Sequence, residues 1–242
     1  MNKKLPNFVA LLGMTLLFIS ATIDLDNLFN YANQSKPNYI NKDNTADGNQ
    51  IDDKIATLGR VLFYDKKLSA NNTIACASCH KQEKAFGDDA TQSVGLNGSL
   101  TGRHSMRLIN SRFSDENKFF WDERAASLED QTTKPIQDHV EMGFSGTEGD
   151  PDFNDLITKL SAVDYYQELF KFAFGDETIT ERKMQLALAQ FIRSIQSFDS
   201  KFDVGLVQVN NPNNDFPNFT AQENLGKRLF RDPPNMNGAG CA

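Results

Sequence analysis

The feature that most constrains this chain is the pentapeptide Cys76-Ala77-Ser78-Cys79-His80. Cys-x-x-Cys-His is the attachment pattern of c-type haem. On one turn of helix the two thiols share a face, where they can add to the vinyl groups of a porphyrin. The imidazole of His80 then serves as the proximal iron ligand. Half a zinc site and a thioredoxin-like redox pair are the alternatives, and neither requires the histidine.

The amino terminus agrees with assembly outside the cytoplasm. Residues 2–4 carry two lysines, and residues 8–21 form a largely apolar run that ends in small residues. This run has the length of a signal-peptide core and is short for a transmembrane span. We therefore predict a periplasmic protein with a signal peptide over residues 1–21, and an uncleaved membrane anchor is the alternative. Residues 22–50 are predicted to be a polar, solvated tether, because residues 30–50 lack apolar periodicity.

The charge of the chain restricts its partners. The formal net charge is −7, and the basic residues form no stripe along the sequence. We therefore predict no nucleic-acid partner. An acidic surface would suit a basic electron-donor protein, although such a balance is also ordinary for soluble proteins. The residues after the tether suffice for one large or two small domains.

A repeat accounts for the third cysteine. Residues 58–65 read Leu-Gly-Arg-Val-Leu-Phe-Tyr-Asp and precede the haem motif, whereas residues 225–232 read Leu-Gly-Lys-Arg-Leu-Phe-Arg-Asp and precede Cys241. We predict that Cys241 begins a second haem motif and that the sequence is a fragment of a two-haem protein. Such a fragment is expected to be inactive or poorly active by itself. The alternative is a lone cysteine beside a coincidental helix.

The periodicity of apolar residues is helical throughout. Helices are predicted over residues 51–64, 152–160 and 162–174. Thr178 and Glu181 form a predicted capping box, and an apolar seam follows it. The seam consists of Met184, Leu188, Phe191, Ile195 and Phe198. A second predicted box, from Thr220 to Glu223, begins the helix of the second repeat.

These elements predict a mainly α fold with two cytochrome-c-like helical domains in tandem, the second truncated. The first haem c domain is expected over residues 51–209. A turn-rich linker and the start of the second haem domain are expected over residues 210–242, since residues 210–214 read Asn-Asn-Pro-Asn-Asn. No stretch alternates convincingly as a strand.

Several motifs between the haem pentapeptide and residue 142 resemble those of the bacterial di-haem cytochrome c peroxidases. These are Phe120-Trp121-Asp122-Glu123-Arg124-Ala125, Leu128-Glu129-Asp130-Gln131, Pro135-Ile136-Gln137 and Val140-Glu141-Met142. The flanks of the pentapeptide also fit, and the resemblance covers residues 51–242. It implies reduction of hydrogen peroxide to water, with electrons from a small cytochrome c or cupredoxin. It also implies two haems c per full-length protein, and a homodimer is left open.

The resemblance assigns roles to three residues. Glu141 matches the catalytic glutamate, Gln131 the pocket glutamine, and Trp121 the tryptophan placed between the two haems. Peroxide chemistry needs such a carboxyl group, because a proton has to move from one peroxide oxygen to the other. The structural alternatives are a surface charge for Glu141, a helix cap for Gln131 and a core aromatic for Trp121.

One departure from the family concerns the distal side of the first haem. Many members carry a Ser-x-Gly-His stretch whose histidine blocks the iron until the other haem is reduced. Here residues 93–96 end in Leu96, which cannot ligate iron. We therefore predict a five-coordinate or water-bound first haem, with His104 and His139 as the remaining candidate ligands. His104 also follows Arg103, where the family often has an asparagine that helps to hold calcium. Because Asn and His differ as ligands of a hard cation, this departure argues against calcium, which is kept only as a possible second cofactor.

Two other functions remain open from the sequence. The related di-haem oxidases share the scaffold and modify tryptophans of a partner protein. A pure electron-transfer cytochrome c would predict a six-coordinate first haem with His/Met ligation, so that Met142 or Met106 would have to reach the iron.

Overall fold

A computed structural model of the protein describes residues 27–115 and 117–241, so the predicted signal segment over residues 1–21 lies outside the described residues. The prediction of a mainly α fold is confirmed, since the described residues contain helices and only isolated β-bridges. The α-helices are α1 (Asp53–Tyr64), α2 (Cys76–Cys79), α3 (Leu128–Thr132), α4 (Phe153–Ser161), α5 (Asp164–Phe174), α6 (Glu181–Arg193), α7 (Lys201–Leu206) and α8 (Ala221–Arg231). None of the helices in these described ranges is both long and apolar enough to cross a membrane.

The core forms where α1 packs against α6. Asp52 caps α1, because its carboxylate accepts hydrogen bonds from the backbone N–H groups of Lys54 and Ile55. The face that α1 turns inward is apolar, and Leu58 and Leu62 are fully buried. Gly59 lies between them and allows the backbones of α1 and α6 to approach each other closely, since a Cβ there would lie 1.9 Å from the carbonyl oxygen of Ala187 in α6. The Leu-Gly-x-x-Leu pattern is therefore a helix-packing motif.

The second copy of this pattern has a different environment. Thr220 caps α8 and forms the predicted capping box with Glu223. However, Leu225 and Leu229 are each 48% exposed, whereas the matching leucines of α1 are completely buried. No atom lies within 4 Å of a Cβ placed on Gly226. Among the described residues, no helix packs against α8 as α6 packs against α1.

This contrast predicts opposite effects of the same substitution at two matched glycines. Gly59→Ala forces α1 away from the backbone of α6, and we expect it to destabilise the protein by about 2 kcal/mol or more. Gly226→Ala meets no atom and improves helix propensity, so its effect is neutral or stabilising by up to about 1 kcal/mol. Denaturant unfolding of the two variants measures both values, and equal costs would contradict the packing described here.

The helix predictions are confirmed in position, but the capping box before α6 is wrong. Thr180 caps this helix by accepting a hydrogen bond from the N–H of Lys183. The carboxylate of Glu181 points to another part of the chain, where the Thr133 hydroxyl and the Gln137 amide each donate to it at 2.8 Å. Four members of the predicted seam, Met184, Leu188, Phe191 and Ile195, are buried. The fifth, Phe198, is half-buried and lies beyond the end of the helix.

Residues 27–50, predicted to be a polar, solvated tether, are mostly exposed or half-buried, and several of them contact the helical domain. Tyr31 is 7% exposed, and its N–H donates to the Asp53 carboxylate at 2.7 Å. Asp43 forms a two-point ion pair with Arg112. The segment is polar in composition, but its polar groups find partners on the helical domain.

A buried ion pair fastens this segment to α3 and α6. The two terminal guanidinium nitrogens of Arg193, Nη1 and Nη2, donate to the Glu129 carboxylate at 2.6 and 3.1 Å. The side chains of this pair are only 1% and 2% exposed. Asn49 donates to the same carboxylate and accepts from Gln190, and Arg193 also donates to Asn44. The network satisfies its buried charges by hydrogen bonds on several sides.

Candidate functional site

The haem motif forms a single helical turn. Helix α2 consists of Cys76 to Cys79, and the backbone N–H of His80 closes it by donating to the carbonyl of Cys76 at 2.9 Å. Ser78 fixes the start of the turn, because its hydroxyl accepts from the N–H of Ala75 at 3.0 Å. Both cysteines are free thiols and are partly buried. One turn therefore presents two thiols and an imidazole from adjacent positions.

The imidazole of His80 is held by the loop that follows it. Its Nδ1 lies 2.9 Å from the carbonyl oxygen of Phe86, so Nδ1–H donates and Nε2 is the nitrogen suited to bind a metal. Ala85 and Phe86 both have φ of 56°, a left-handed conformation that turns this carbonyl inward. Burial lowers the pKa of His80, against the opposing effect of backbone groups of Phe86 and Met106. A neutral, oriented imidazole beside two free thiols fits covalent haem c.

Glu141 has the properties of an acid/base group. The pKa of its carboxyl group is raised to about 7, mainly by burial and in smaller part by the negative charge of Asp138, while the charge of Arg124 acts in the opposite direction. The carboxylate lies close enough to the haem motif to act on it: after burial, its charge contributes to the raised pKa of Cys76 and Cys79. A carboxyl group that titrates near neutrality can both take and give a proton.

Asp138 fixes the backbone that carries this carboxyl group. Its Oδ1 accepts hydrogen bonds from the N–H of Val140 at 2.8 Å and from that of Glu141 at 2.9 Å. Its carbonyl also accepts from the N–H of Gly143 at 2.8 Å. Asp138 thus both positions Glu141 and raises its pKa.

Leu96 lies directly against the Glu141 segment. Its N–H donates to the carbonyl of Val140 at 2.7 Å, and its side chain is 6% exposed. Gly143 is required here for two reasons: its φ is +79°, and a Cβ on it would lie 2.4 Å from a methyl group of Leu96. Leu96, which was predicted to provide no iron ligand, is therefore a buried leucine beside the candidate acid/base residue.

A polar cluster holds the loop that leads to Leu96. Asp88 accepts from the ammonium group of Lys81 at 2.7 Å and from the hydroxyl of Ser93 at 2.6 Å. The carboxylate is buried, and these hydrogen bonds outweigh its burial, so that the pKa of Asp88 is held well below its usual range. Since Lys81 directly follows His80, the cluster connects the haem motif to the loop that carries Leu96.

Trp121 lies at the tip of a tight hairpin and not in the core. Phe119 and Ala125 exchange both backbone hydrogen bonds at the base of this hairpin. The indole N–H of Trp121 donates to the carbonyl of His104 at 2.9 Å, and its side chain is 59% exposed. The guanidinium of Arg124 stacks 3.6 Å above the ring of Phe120. Because the charge of Arg124 also acts on Glu141, the hairpin lies near the site.

The other residues predicted to belong to the site are less closely connected to Glu141 and Leu96. Gln131 is half-buried on α3, and no hydrogen bond within the described residues joins its side chain to Glu141. The ring of His104 faces the carbonyl of Ala90 at 2.8 Å. His139 forms an exposed ion pair with Asp150 at 2.8 Å, which raises the pKa of His139. Both histidines are thus engaged away from Leu96.

Sequence reasoning missed Asp138, Arg124 and Phe86. Asp138 has a recognisable signal, since an aspartate three residues before a glutamate often accepts from the following N–H groups. The contribution of Phe86 is a backbone carbonyl in a left-handed turn, for which its residue type gives no signal.

A one-turn Cys-x-x-Cys-His site with an oriented imidazole and a near-neutral carboxyl group defines a c-type haem protein with a candidate acid/base residue. Residues 53–210 match the family model described as di-haem cytochrome c peroxidase. The chain belongs to this family, and membership implies haem c as its cofactor. Among residues 27–115 and 117–241, no group of three or more His, Cys, Asp or Glu side chains could hold a metal ion, and calcium stays a prediction.

The relatives include proteins with different names. The chain is 34% identical over 148 residues to the methylamine utilization protein MauG of Methylophilus methylotrophus, covering 61% of this chain and 42% of that protein. It is 32% identical over 179 residues to the cytochrome c peroxidase Ccp of Escherichia coli, covering 72% and 34% respectively. A crystal structure of a MauG-like protein associated with microbial copper homeostasis superimposes with a TM-score of 0.69 at 30% identity, covering 82% of this chain and 54% of that one. The chain therefore spans half or less of these curated relatives.

Proposed function

We propose that the protein reduces hydrogen peroxide to water at the haem attached to Cys76 and Cys79, with Glu141 as the acid/base residue. The observation that carries this proposal is the partly buried Glu141 carboxyl group, whose pKa of about 7 suits proton transfer at neutral pH. Family membership supports a redox enzyme. The nearness of this carboxyl group to the haem thiols supports the assignment to this particular haem.

Haem iron would supply the binding position for peroxide and exchange electrons with it. The residues of the chain then have distinct tasks. His80 would hold the iron through Nε2, while the carbonyl of Phe86 fixes the orientation of the ring. Glu141 would take the proton from one peroxide oxygen and deliver it to the other, so that water can leave. Gln131 would donate a hydrogen bond to the peroxide, and Leu96 would leave the binding position without a protein ligand.

We propose that electrons come from a small cytochrome c or cupredoxin and pass through a second haem, whose attachment begins at Cys241. Trp121 would lie on this path, and its exposed indole beside the site supports that role. Export to the periplasm completes the proposal, because c-type haem is attached outside the cytoplasm.

The pH dependence of the reaction tests the acid/base role. Glu141 has to be ionised to accept the first proton, so we expect the rate constant for reaction with peroxide to fall as the pH drops below about 7. Asp138→Asn keeps an oxygen that accepts both N–H groups but removes the charge that raises the pKa of Glu141. We therefore expect its profile to move to lower pH, with a several-fold faster reaction than the parent at pH 5.5. Stopped-flow mixing of the haem-loaded protein with peroxide measures both profiles.

The matched control is Asp150→Asn, which removes a carboxylate from the same loop. Asp150 pairs with His139 and is not among the groups that act on Glu141. We expect its pH profile to coincide with that of the parent. An Asp138→Asn profile with the midpoint of the parent would show that another group controls the reaction.

The exposed indole of Trp121 favours a second candidate, the oxidation of tryptophans in a partner protein. Steady-state consumption of peroxide with a reduced cytochrome c distinguishes the two: rapid turnover supports the peroxidase, and peroxide-dependent oxidation of a partner without such turnover supports the oxidase. A pure electron carrier is disfavoured, because a backbone group of Met106 lies beside the proximal ring and Met142 is 2% exposed within the apolar core.

A further inference from the structure

Aromatic rings connect the proximal imidazole to the protein surface. The ring centroid of Phe63, at the end of α1, lies 6.5 Å from that of His80 and 5.2 Å from that of Tyr64. Phe191 of α6 packs against the same two α1 rings, at 5.2 and 6.3 Å. Phe63 is 1% exposed, whereas Tyr64 is 40% exposed. One buried phenylalanine therefore separates the iron-binding imidazole from an exposed phenol.

Tyr64 is the member of this series that can release an electron and a proton together. Its hydroxyl donates to the side-chain oxygen of Gln82 at 3.3 Å, and its exposure gives the proton a route to water. A second branch runs from Phe191 to Tyr31 at 6.3 Å, but Tyr31 is buried. The second copy of the repeat has Arg231 where the first has Tyr64, so this phenol belongs to the first haem alone.

We propose that Tyr64 is a redox-active residue that donates an electron to the haem at His80 when no donor protein is bound. The proposal rests on the proposed function, because peroxide is the oxidant that removes electrons from the haem. The O–H bond of the phenol breaks, one electron passes through Phe63 and His80 to the haem, and the proton leaves to water. The products are a neutral tyrosyl radical and a haem reduced by one electron. The exposed phenol thus disposes of oxidising equivalents at the surface.

Other tyrosines serve as comparisons. Tyr165 and Tyr166 stack on each other at 4.7 Å and both donate to Asp65. No ring contact within the described residues joins them to Phe63. Tyr39 donates to Asp203 at 2.7 Å, and a carboxylate partner makes a phenol easier to oxidise when a proton can move to it. Tyr39 is therefore a demanding control, since it has a favourable hydrogen bond but no ring path to His80 in the described part of the chain.

The experiment mixes the haem-loaded protein with hydrogen peroxide in the absence of a donor and records the paramagnetic resonance spectrum after freezing. We expect a tyrosyl radical, identified by the change in its hyperfine pattern when ring-deuterated tyrosine is incorporated. Tyr64→Phe preserves the packing, and we expect it to lose most of the signal. Tyr39→Phe should retain the signal of the parent. Peptide mass spectrometry should find oxidation at Tyr64 and not at Tyr39.

A second measurement separates this proposal from the proposed function. A soluble ruthenium photo-oxidant withdraws an electron from the haem without peroxide, and the haem-free protein gives the background. If peroxide leaves the haem spectrum unchanged, the proposed function fails, but light should still produce a radical that Tyr64→Phe loses. If the haem is oxidised and the radical is absent, or persists in Tyr64→Phe, the role of Tyr64 is refuted.

Discussion

Glu141→Gln is expected to lower the rate constant for reaction of the haem-loaded protein with peroxide by about 10²- to 10⁴-fold. Glutamine has nearly the same shape as glutamate and can still form hydrogen bonds, but it cannot carry a proton from one peroxide oxygen to the other. Stopped-flow absorbance of the haem measures the rate directly and requires no donor protein. The matched control is Glu148→Gln, an exposed carboxylate in the same loop, which should react like the parent. A rate for Glu141→Gln within a factor of a few of the parent would exclude Glu141 as the acid/base residue.

The same variant has an expected effect on stability with a defined sign. The pKa of Glu141 in the folded protein, about 7, is above its ordinary value of about 4.3 in an unfolded chain. Stability is therefore lost as the pH rises through 7, because the ionised carboxylate is partly buried. Glutamine has no such cost, so Glu141→Gln should be more stable than the parent at pH 8, by an amount on the order of 2 kcal/mol. The difference should vanish near pH 4. A variant less stable than the parent at pH 8 would contradict the burial of this group.

The largest effect on folding is expected from Arg193→Met. Methionine fills a similar volume, but the substitution leaves the Glu129 carboxylate buried without its cation, and this should cost about 3–5 kcal/mol. Denaturant unfolding of the haem-loaded protein measures the loss. Because the same pair anchors α3, which carries Gln131, the variant should also react more slowly with peroxide.

Two controls separate the buried charge from a general loss of packing. Lys201→Met removes the cation of an exposed pair with Glu223 and should cost at most about 1 kcal/mol. Adding Glu129→Leu to Arg193→Met removes the stranded carboxylate and should recover much of the stability. If Arg193→Met costs no more than Lys201→Met, the buried network does not contribute to the fold as described.

The sequence predicts the parts of this fold that depend on local patterns. The apolar spacing in α1 and the capping box of α8 each involve residues that are close together in the sequence, and both appear as expected. The pairing of Glu129 with Arg193 joins residues 64 positions apart and leaves no local pattern. The contacts of the polar segment before α1 leave no local pattern for the same reason, since its partners lie on distant parts of the chain. Composition alone does not distinguish a polar group that faces water from one that is bonded to the core.

The candidate site also has some features that the sequence predicts and others that depend on the fold. The chemistry of the haem motif can be inferred from its residue types and their spacing. The role of Glu141 was inferred from the resemblance of its segment to family motifs. The properties that make Glu141 useful are its burial and the nearby charges of Asp138 and Arg124, and these depend on how the loops fold. The position of Leu96 beside Glu141 also required the structure, although the missing histidine was visible in the sequence.

The spin state of the oxidised haem at His80 tests the central claim most directly. Paramagnetic resonance and visible spectra of the ferric protein report whether a strong sixth ligand is bound. We predict a high-spin haem, five-coordinate or water-bound, because Leu96 provides no ligand; the variant Leu96→His should convert it to a low-spin form. A low-spin spectrum of the His80 haem in the unaltered protein, typical of two histidines or of histidine and methionine, would contradict an open site for peroxide.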